Sequence, residues 1–282
     1  MPSFRSPESK ASKAIKAMNR IGQKKEKGIR GHQDGIHSVA TLKRYEQALT
    51  GFAKWRETNG NRELLSTTTI AEAKAYLHER SMNIGQKTLD ADRHALQKLL
   101  QTKIESVKAQ DKRNTLATKS RAYSSAQVEA IAKHQSPTNA LATRIAYSCG
   151  LRAHELLTIE KKSSGYTVTG KGGLKRTIHM PKQLEQELEQ RRLEKPRQVK
   201  DRGIIYTQRY DIGGGMAFSK SFTVASKTAL GFSHGAHGLR HSYAQNRLLQ
   251  YQAQGMTWNE ARAKVSKELG HFRPEITNKY LR

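Results

Sequence analysis

Residues 110–121, QDKRNTLATKSR, are polar, basic and without hydrophobic period, and they part the chain into two runs that each have one. Such a segment has little to bury, so it reads as a linker between two separately packed domains. Ahead of it the period is helical. In TLKRYEQALTGFAKW, Leu42, Tyr45, Leu49 and Phe52 recur at helical spacing and mark a stripe facing a core. Thr69 and Glu72 form a capping box, which opens a helix containing Tyr76 and Leu77. A third helix runs over about Thr88–Ile104, with Leu89, Leu96, Leu99 and Leu100 inward. These stripes are core rather than function, and they predict a small all-α bundle over residues 37–109.

Beyond the linker the period changes. Ser124 and Gln127 make a second capping box ahead of Val128 and Ile131, and that helical run ends at Cys149–Gly150. YTVTG and LKRTIHM then alternate as strands around glycines 170, 172 and 173, which predicts a β-hairpin closed by Pro181. Helical pattern resumes over about Lys182–Glu194, then near 218–229 after the glycine-rich DIGGG (211–215). It resumes again after His237 and after Thr257, where Thr257 and Glu260 form a third box. The expected class is mainly α with a small β-hairpin or sheet, in a helical domain over 37–109 and an α+β domain over 122–282. Residues 1–36 hold nine Lys/Arg, three acidic residues and glycines at 22, 28, 31 and 35. They are expected to be a flexible basic arm, either merely solvated or touching a polyanion.

Composition narrows the partners. A hydrophobic share of 35% with 6% aromatics is thin for one large core but enough for two small ones. Lys+Arg is 51 against Asp+Glu 24, a net charge of +27. A ribosomal or chromatin-type protein with a basic tail would carry that charge in blocks. Here it is spread along the chain, which suits a protein that wraps nucleic acid on two sides. No stretch approaches the roughly 18 apolar residues of a membrane span, and no apolar signal core opens the chain. Cys149 is the only cysteine, so no intrachain disulfide forms, which fits a reducing cytosol. Neither cysteines nor histidines fall at metal-ligand spacings, and no cofactor or metal is expected.

Four segments of the second half carry chemistry: GLRAHELL, GKGGLKR, HGLRH and LGHFRPEITNKY. A glycine turn followed by a helix would put Arg152 near backbone N–H groups that favour an anion, with Glu155 on the same face to orient it or to buttress the domain. Alone, Arg152 could equally be a surface residue beside a capping glycine. Lys171 stands at a glycine-flanked hairpin tip from which an ammonium can reach a groove, although tip lysines are commonly just solvated; Lys175 and Arg176 compete with it. His237 and Arg240 share a face if a helix has begun there. Histidine works as acid or base near neutral pH, and arginine grips two phosphate oxygens at once. His241 is expected to point elsewhere as a structural residue. His271 precedes Tyr280 by nine residues. Tyrosine, with a pKa of about 10, is a poor nucleophile unless cations or a base assist it, and a terminal tyrosine is commonly a packing residue.

In conjunction the four segments say more than each alone. Gly-Leu-Arg-x-x-Glu-Leu, Gly-Lys-Gly, His-x-Leu-Arg-His and Leu-Gly-His, in this order, resemble the tyrosine recombinase (phage integrase) family over about residues 40–282. The resemblance implies a helical core-binding (SAM-like) domain and an α+β catalytic domain that clamp duplex DNA. It implies that Tyr280 attacks the scissile phosphate to leave a 3′-phosphotyrosyl link. Arg152 and Arg240 would hold the non-bridging oxygens, His237 and His271 assist in charge stabilisation and proton transfer, and Lys171 act as general acid. Expected partners are recombination sites on duplex DNA, a homo-tetramer on two synapsed sites, and accessory DNA-bending or directionality proteins. The expected setting is a cytoplasmic, nucleoid-associated protein of a bacterium or phage, serving a mobile element. A type IB topoisomerase and a non-catalytic DNA-binding relative are the alternatives.

The chain departs from the family pattern in places. Leu174 stands where the family usually has a basic residue. Arg240 to His271 is longer than in compact relatives, with the extra length around QYQAQGMTWNEA. Tyr251 and Trp258 there look exposed, which makes 250–262 a candidate protomer-coupling surface. Only Leu281 and Arg282 follow Tyr280, too few to form a helix docked on a neighbour. The first 36 residues match no part of the pattern.

Overall fold

The computed structural model describes residues 5–23, 31–110, 120–271 and 273–281, with Lys171 described by its backbone alone. The chain divides into two compact units, Met1–Ala117 and Thr118–Arg282. Among the described residues no helix is long and apolar enough to cross a membrane.

Among its described residues the first unit packs four α-helices: α1 (Pro7–Met18), α2 (Val39–Thr58), α3 (Ile70–Ser81) and α4 (Gln86–Leu100). Leu49, Phe52, Tyr76, Leu77, Leu89 and Leu96, all on the stripes read from the sequence, are buried together. The Thr69–Glu72 capping box forms. Glu72 also receives the Nε–H of the buried Arg56 at 3.0 Å, while Arg56 donates to the Leu64 carbonyl at 3.0 Å, so the cap anchors α2 against α3.

The expected flexible arm needs correction. Ser6 caps α1, whose Ala11 and Ile15 are buried in the helical core together with Ile36. Lys10 is buried as well and reaches Glu57 at 2.6 Å. Ala11, Ala14, Ile15 and Met18 fall at helical spacing, so burying that stripe outweighs the charge of the other face. Residues 24–30 of the arm and 111–119 of the expected linker lie outside the described residues.

The second unit begins with α5 (Ser125–Lys133) and α6 (Pro137–Cys149). Strands β1 (Glu160–Lys162), β2 (Gly165–Thr169) and β3 (Lys175–Ile178) form an antiparallel sheet in that order, with Tyr166 opposite Ile178. After α7 (Lys182–Glu189) a second hairpin pairs β4 (Arg192–Asp201) with β5 (Ile204–Tyr210). Then come α8 (Gly215–Leu230), α9 (His237–Ala253), α10 (Trp258–Glu268) and a 3₁₀ turn, Pro274–Lys279. The β4–β5 hairpin replaces the end of the helix expected over 182–194. The side chains of β4 are mostly exposed and charged, and Pro196 sits where the register shifts between Arg192 and Arg197, so no period of two marks that strand.

Two apolar clusters support this unit. The larger gathers α5, α6, the three-stranded sheet and α8; the smaller joins Tyr243, Leu248 and Tyr251 of α9 to Ala261, Val265, Leu269 and Tyr280. Tyr251 is therefore not exposed. It lies between Arg247 and Lys264, each 4.4 Å from its ring centroid, and only Trp258 stays open, with Arg262 4.6 Å from its ring centroid.

Candidate active site

Gly150 ends α6 in the left-handed region (φ 63°), and a Cβ there would lie 2.5 Å from the Tyr243 ring. Only glycine lets the chain turn so close to α9, and the turn delivers Arg152. The α-helix expected at Arg152 is a short 3₁₀ turn, Glu155–Thr158. The free N–H there is taken internally, because Arg152 N donates to Glu155 Oε2 at 2.7 Å and its guanidinium to Oε1 at 2.9 Å.

Glu155 has no exposed surface and is ringed by cations. Arg176 of β3 donates to both its oxygens at 2.8 Å and to the Glu268 carbonyl at 3.0 Å. Arg240 of α9 stands 3.8 Å from Oε2. Burial alone would raise the Glu155 pKa; the hydrogen bonds and charge of Arg176, with the charge of Arg240, outweigh it and hold it at about 2. One carboxylate thus fixes three arginines from three parts of the chain.

Arg240 is wholly buried, donating to the Gly150 and Leu269 carbonyls, which ties α9 to the ends of α6 and α10. Burial and then the charge of Arg152 depress its pKa to about 10, against the pull of Glu155, so it remains a cation at neutral pH. His271 closes the group. Its Nε2 lies 3.3 Å from a guanidinium nitrogen of Arg152 and 3.3 Å from one of Arg240. Guanidinium only donates, so Nε2 carries the lone pair and Nδ1 the proton, which points to Thr277 Oγ1 at 3.2 Å. Burial, then Arg240 and Arg152, lower the His271 pKa to about 4.

Tyr280 lies at the centre of these groups and is largely buried. The Arg240 guanidinium carbon stands 5.6 Å from its ring centroid, and the rings of His237, His241 and His271 stand at 5.4, 4.8 and 5.4 Å. His241, expected to point elsewhere, has the shortest of these ring separations. Successive helical positions differ by about 100°, and Tyr280 packs over the edge between the Arg240 and His241 faces. Burial first, then Arg121, His234 and Arg240, push the His241 pKa down to about 4, opposed by a hydrogen bond with the Tyr280 main chain. His237 is lowered to about 4 as well, by burial first and then by the charge of Arg240, although its side chain still meets solvent.

Five of the six residues singled out in the sequence, Arg152, His237, Arg240, His271 and Tyr280, are therefore brought together. Lys171 opens the short 3₁₀ turn 171–173 between β2 and β3, where Gly172 and Gly173 have φ of 75° and 78° and Gly170 N donates to Leu174 O at 2.7 Å. Its side chain lies outside the described residues. Lys175 is exposed, whereas Arg176 spends its donors on Glu155 and Glu268, so Arg176 no longer competes for a mobile role. Sequence reasoning also passed over Thr277, and Gln245, which donates to the Tyr280 carbonyl at 3.1 Å. Only the i, i+4 spacing of His241 and Gln245 hinted at a shared face.

No protein-family model and no curated protein matches this chain. Solved structures do. A lambda integrase (75–356) dimer bound to a COC′ core site superposes with a TM-score of 0.58 at 17% identity, covering 97% of this chain and 94% of that one. XerH site-specific recombinase bound to difH in a pre-cleavage complex gives 0.56 at 17% identity, covering 97% and 91%. The XerH post-cleavage complex on a palindromic difH substrate gives 0.55 at 18%, covering 86% and 76%. The fold of this chain is that of the tyrosine recombinases.

Proposed function

We propose that the chain is a site-specific DNA recombinase that cuts and rejoins duplex DNA through a 3′-phosphotyrosyl intermediate on Tyr280. The observation that carries this reading is the convergence on Tyr280 of the Arg240 guanidinium, itself 3.3 Å from a ring nitrogen of His271 that Arg152 shares. Two fixed guanidiniums beside a phenol suit an anion with developing charge, and their preorganisation by Glu155 removes reorganisation from the chemical step.

In the proposed reaction the Tyr280 oxygen forms a bond to phosphorus and the 5′ oxygen leaves. Arg152 and Arg240 neutralise the non-bridging oxygens. Arg152, a quarter exposed, is open to an entering phosphate; Arg240, with no exposed surface, lies against the Tyr280 ring and adds its charge from there. His237 and His271, neutral near pH 7, assist the phenolic proton's departure, and Lys171 protonates the leaving oxygen. The 5′ hydroxyl of a second strand then attacks phosphorus and returns Tyr280, so the bond energy is conserved. The +27 charge supports duplex DNA as partner. We further propose that the helical unit binds the core site, that synapsis is tetrameric, and that the setting is a mobile element of a bacterium or phage, with accessory DNA-bending or directionality proteins.

The test supplies supercoiled plasmids with and without paired copies of the DNA repeats flanking the gene. Joining of the paired sites alone supports the reading. Relaxation of any supercoiled plasmid would make the chain a type IB topoisomerase, and binding with neither outcome would make it a non-catalytic relative.

A further inference from the structure

His237, His241 and Gln245 stand four residues apart along α9, on one face of the helix. The three follow Tyr280 from ring to main chain. His237 and His241 meet the ring, at centroid separations of 5.4 and 4.8 Å, and Gln245 Nε2 donates to the Tyr280 carbonyl at 3.1 Å. The same Gln245 nitrogen lies 3.1 Å from Ser120 Oγ. His241 is 7% exposed, yet its Nδ1 is buried with no hydrogen-bond partner. A buried, unpartnered imidazole nitrogen is unfavourable, so an apolar residue of similar size would pack as well there unless the ring serves Tyr280. The phosphate chemistry proposed above uses His237 and leaves His241 and Gln245 without a task.

Besides the apolar cluster around Tyr280, the segment they hold is tied by Thr277 Oγ1 to His271 at 3.2 Å and by Asn278, which accepts from Arg262 at 3.3 Å. Tyr280 follows a 3₁₀ turn of six residues, and of that turn only Thr277 is buried. A short 3₁₀ turn is a weak element, so the position of the phenol is set by what grips Tyr280 from outside. We infer that His241 and Gln245 are positioning residues, a two-point latch on α9 that fixes the ring and the main-chain carbonyl of Tyr280 in place for attack. The inference rests on Tyr280 being the nucleophile. The latch acts before chemistry and apart from DNA affinity, because neither residue need touch the phosphate.

The test uses the full chain with His241→Leu, Gln245→Leu and the double variant, and His241→Asn as the change that keeps a donor. Two readouts are taken: amide hydrogen exchange of residues 274–281 without DNA, and single-turnover formation of the covalent adduct on a nicked duplex at saturating DNA. The latch predicts that the double variant exchanges about tenfold faster in 274–281 alone and forms adduct about tenfold more slowly, as expected for losing one or two hydrogen bonds. It also predicts DNA affinity within twofold of the parent and partial rescue by His241→Asn. Adduct formation as fast as the parent's, or faster, overturns it, as does faster exchange spread through α9 and α10, which would mark a packing role. If His241→Leu fails to fold, Gln245→Leu alone carries both readouts. A parent chain that forms no adduct would sink the recombinase reading; the exchange measurement would then still decide whether the latch exists.

Discussion

Arg176 donates to both oxygens of Glu155 at 2.8 Å, and neither side chain is more than marginally exposed. Because Arg152 and Arg240 lean on the same carboxylate, this pair sets where the phosphate-facing cations stand. Glu155→Gln leaves buried guanidiniums uncompensated and should cost about 3–5 kcal/mol of stability. The parent carries its own acid signature. The Glu155 pKa is depressed from 4.5 to about 2, so its contribution is complete above 4.5 and is lost as pH falls toward 2. That contribution is on the order of 3 kcal/mol. Urea denaturation of parent and variant between pH 6 and pH 2 reads both effects; parallel curves would show that Glu155 does not carry this load.

The buried histidines titrate in a different window. His241 and His271 have folded pKa values near 4, below the ordinary 6.5. The unfolded chain therefore takes up protons first as pH drops. Stability from keeping these rings neutral is complete above about 6.5 and is lost as pH falls toward 4. His241→Gln should flatten the fall between pH 6.5 and 4, and imidazole NMR of the parent should show the His241 and His271 rings still neutral at pH 5.5. Titration of either of these rings near 6.5 would contradict the burial argument.

Much of this was legible from sequence for a plain reason. The helix starts were written locally, since Thr69–Glu72, Ser124–Gln127 and Thr257–Glu260 each form both bonds of the box. Arg152, His237, Arg240, His271 and Tyr280 were found because their segments share an order with a known family. What sequence did not reveal depends on distant partners. α1 was hidden because its charged face dominates composition, and β4 because an exposed strand needs no apolar alternation. Nothing near Arg176 announces that Glu155, 21 residues away, uses its donors. His241 was misplaced because adjacency to Arg240 says nothing of a tyrosine that packs over the edge between them.

Lys171 differs from Lys175 in its proposed role. If Lys171 protonates the leaving 5′ oxygen, Lys171→Ala should slow cleavage by about 10²–10⁴-fold, the usual share of general acid catalysis. A substrate with sulfur at the 5′-bridging position should restore the rate, since a thiolate leaves without a proton. Lys175→Ala should mainly weaken binding. Sulfur rescue of Lys175→Ala instead would reassign the acid.

The excess of basic residues makes a prediction that needs no site. If affinity comes largely from neutralised phosphates, binding to a duplex should weaken roughly 10³-fold or more between about 50 and 200 mM salt. Filter binding or fluorescence anisotropy measures the slope. A flat response would assign the +27 charge to another purpose.

The central claim is that the Tyr280 oxygen attacks DNA. Tyr280→Phe removes that atom and keeps the ring between His237, His241, His271 and Arg240. On a nicked duplex that traps the cleaved strand, the parent should give a covalent protein–DNA adduct mapping to Tyr280 by mass spectrometry. Tyr280→Phe should bind the same DNA with unchanged affinity and give no adduct. An adduct of parental yield in Tyr280→Phe, or one mapping to another residue, would contradict the account.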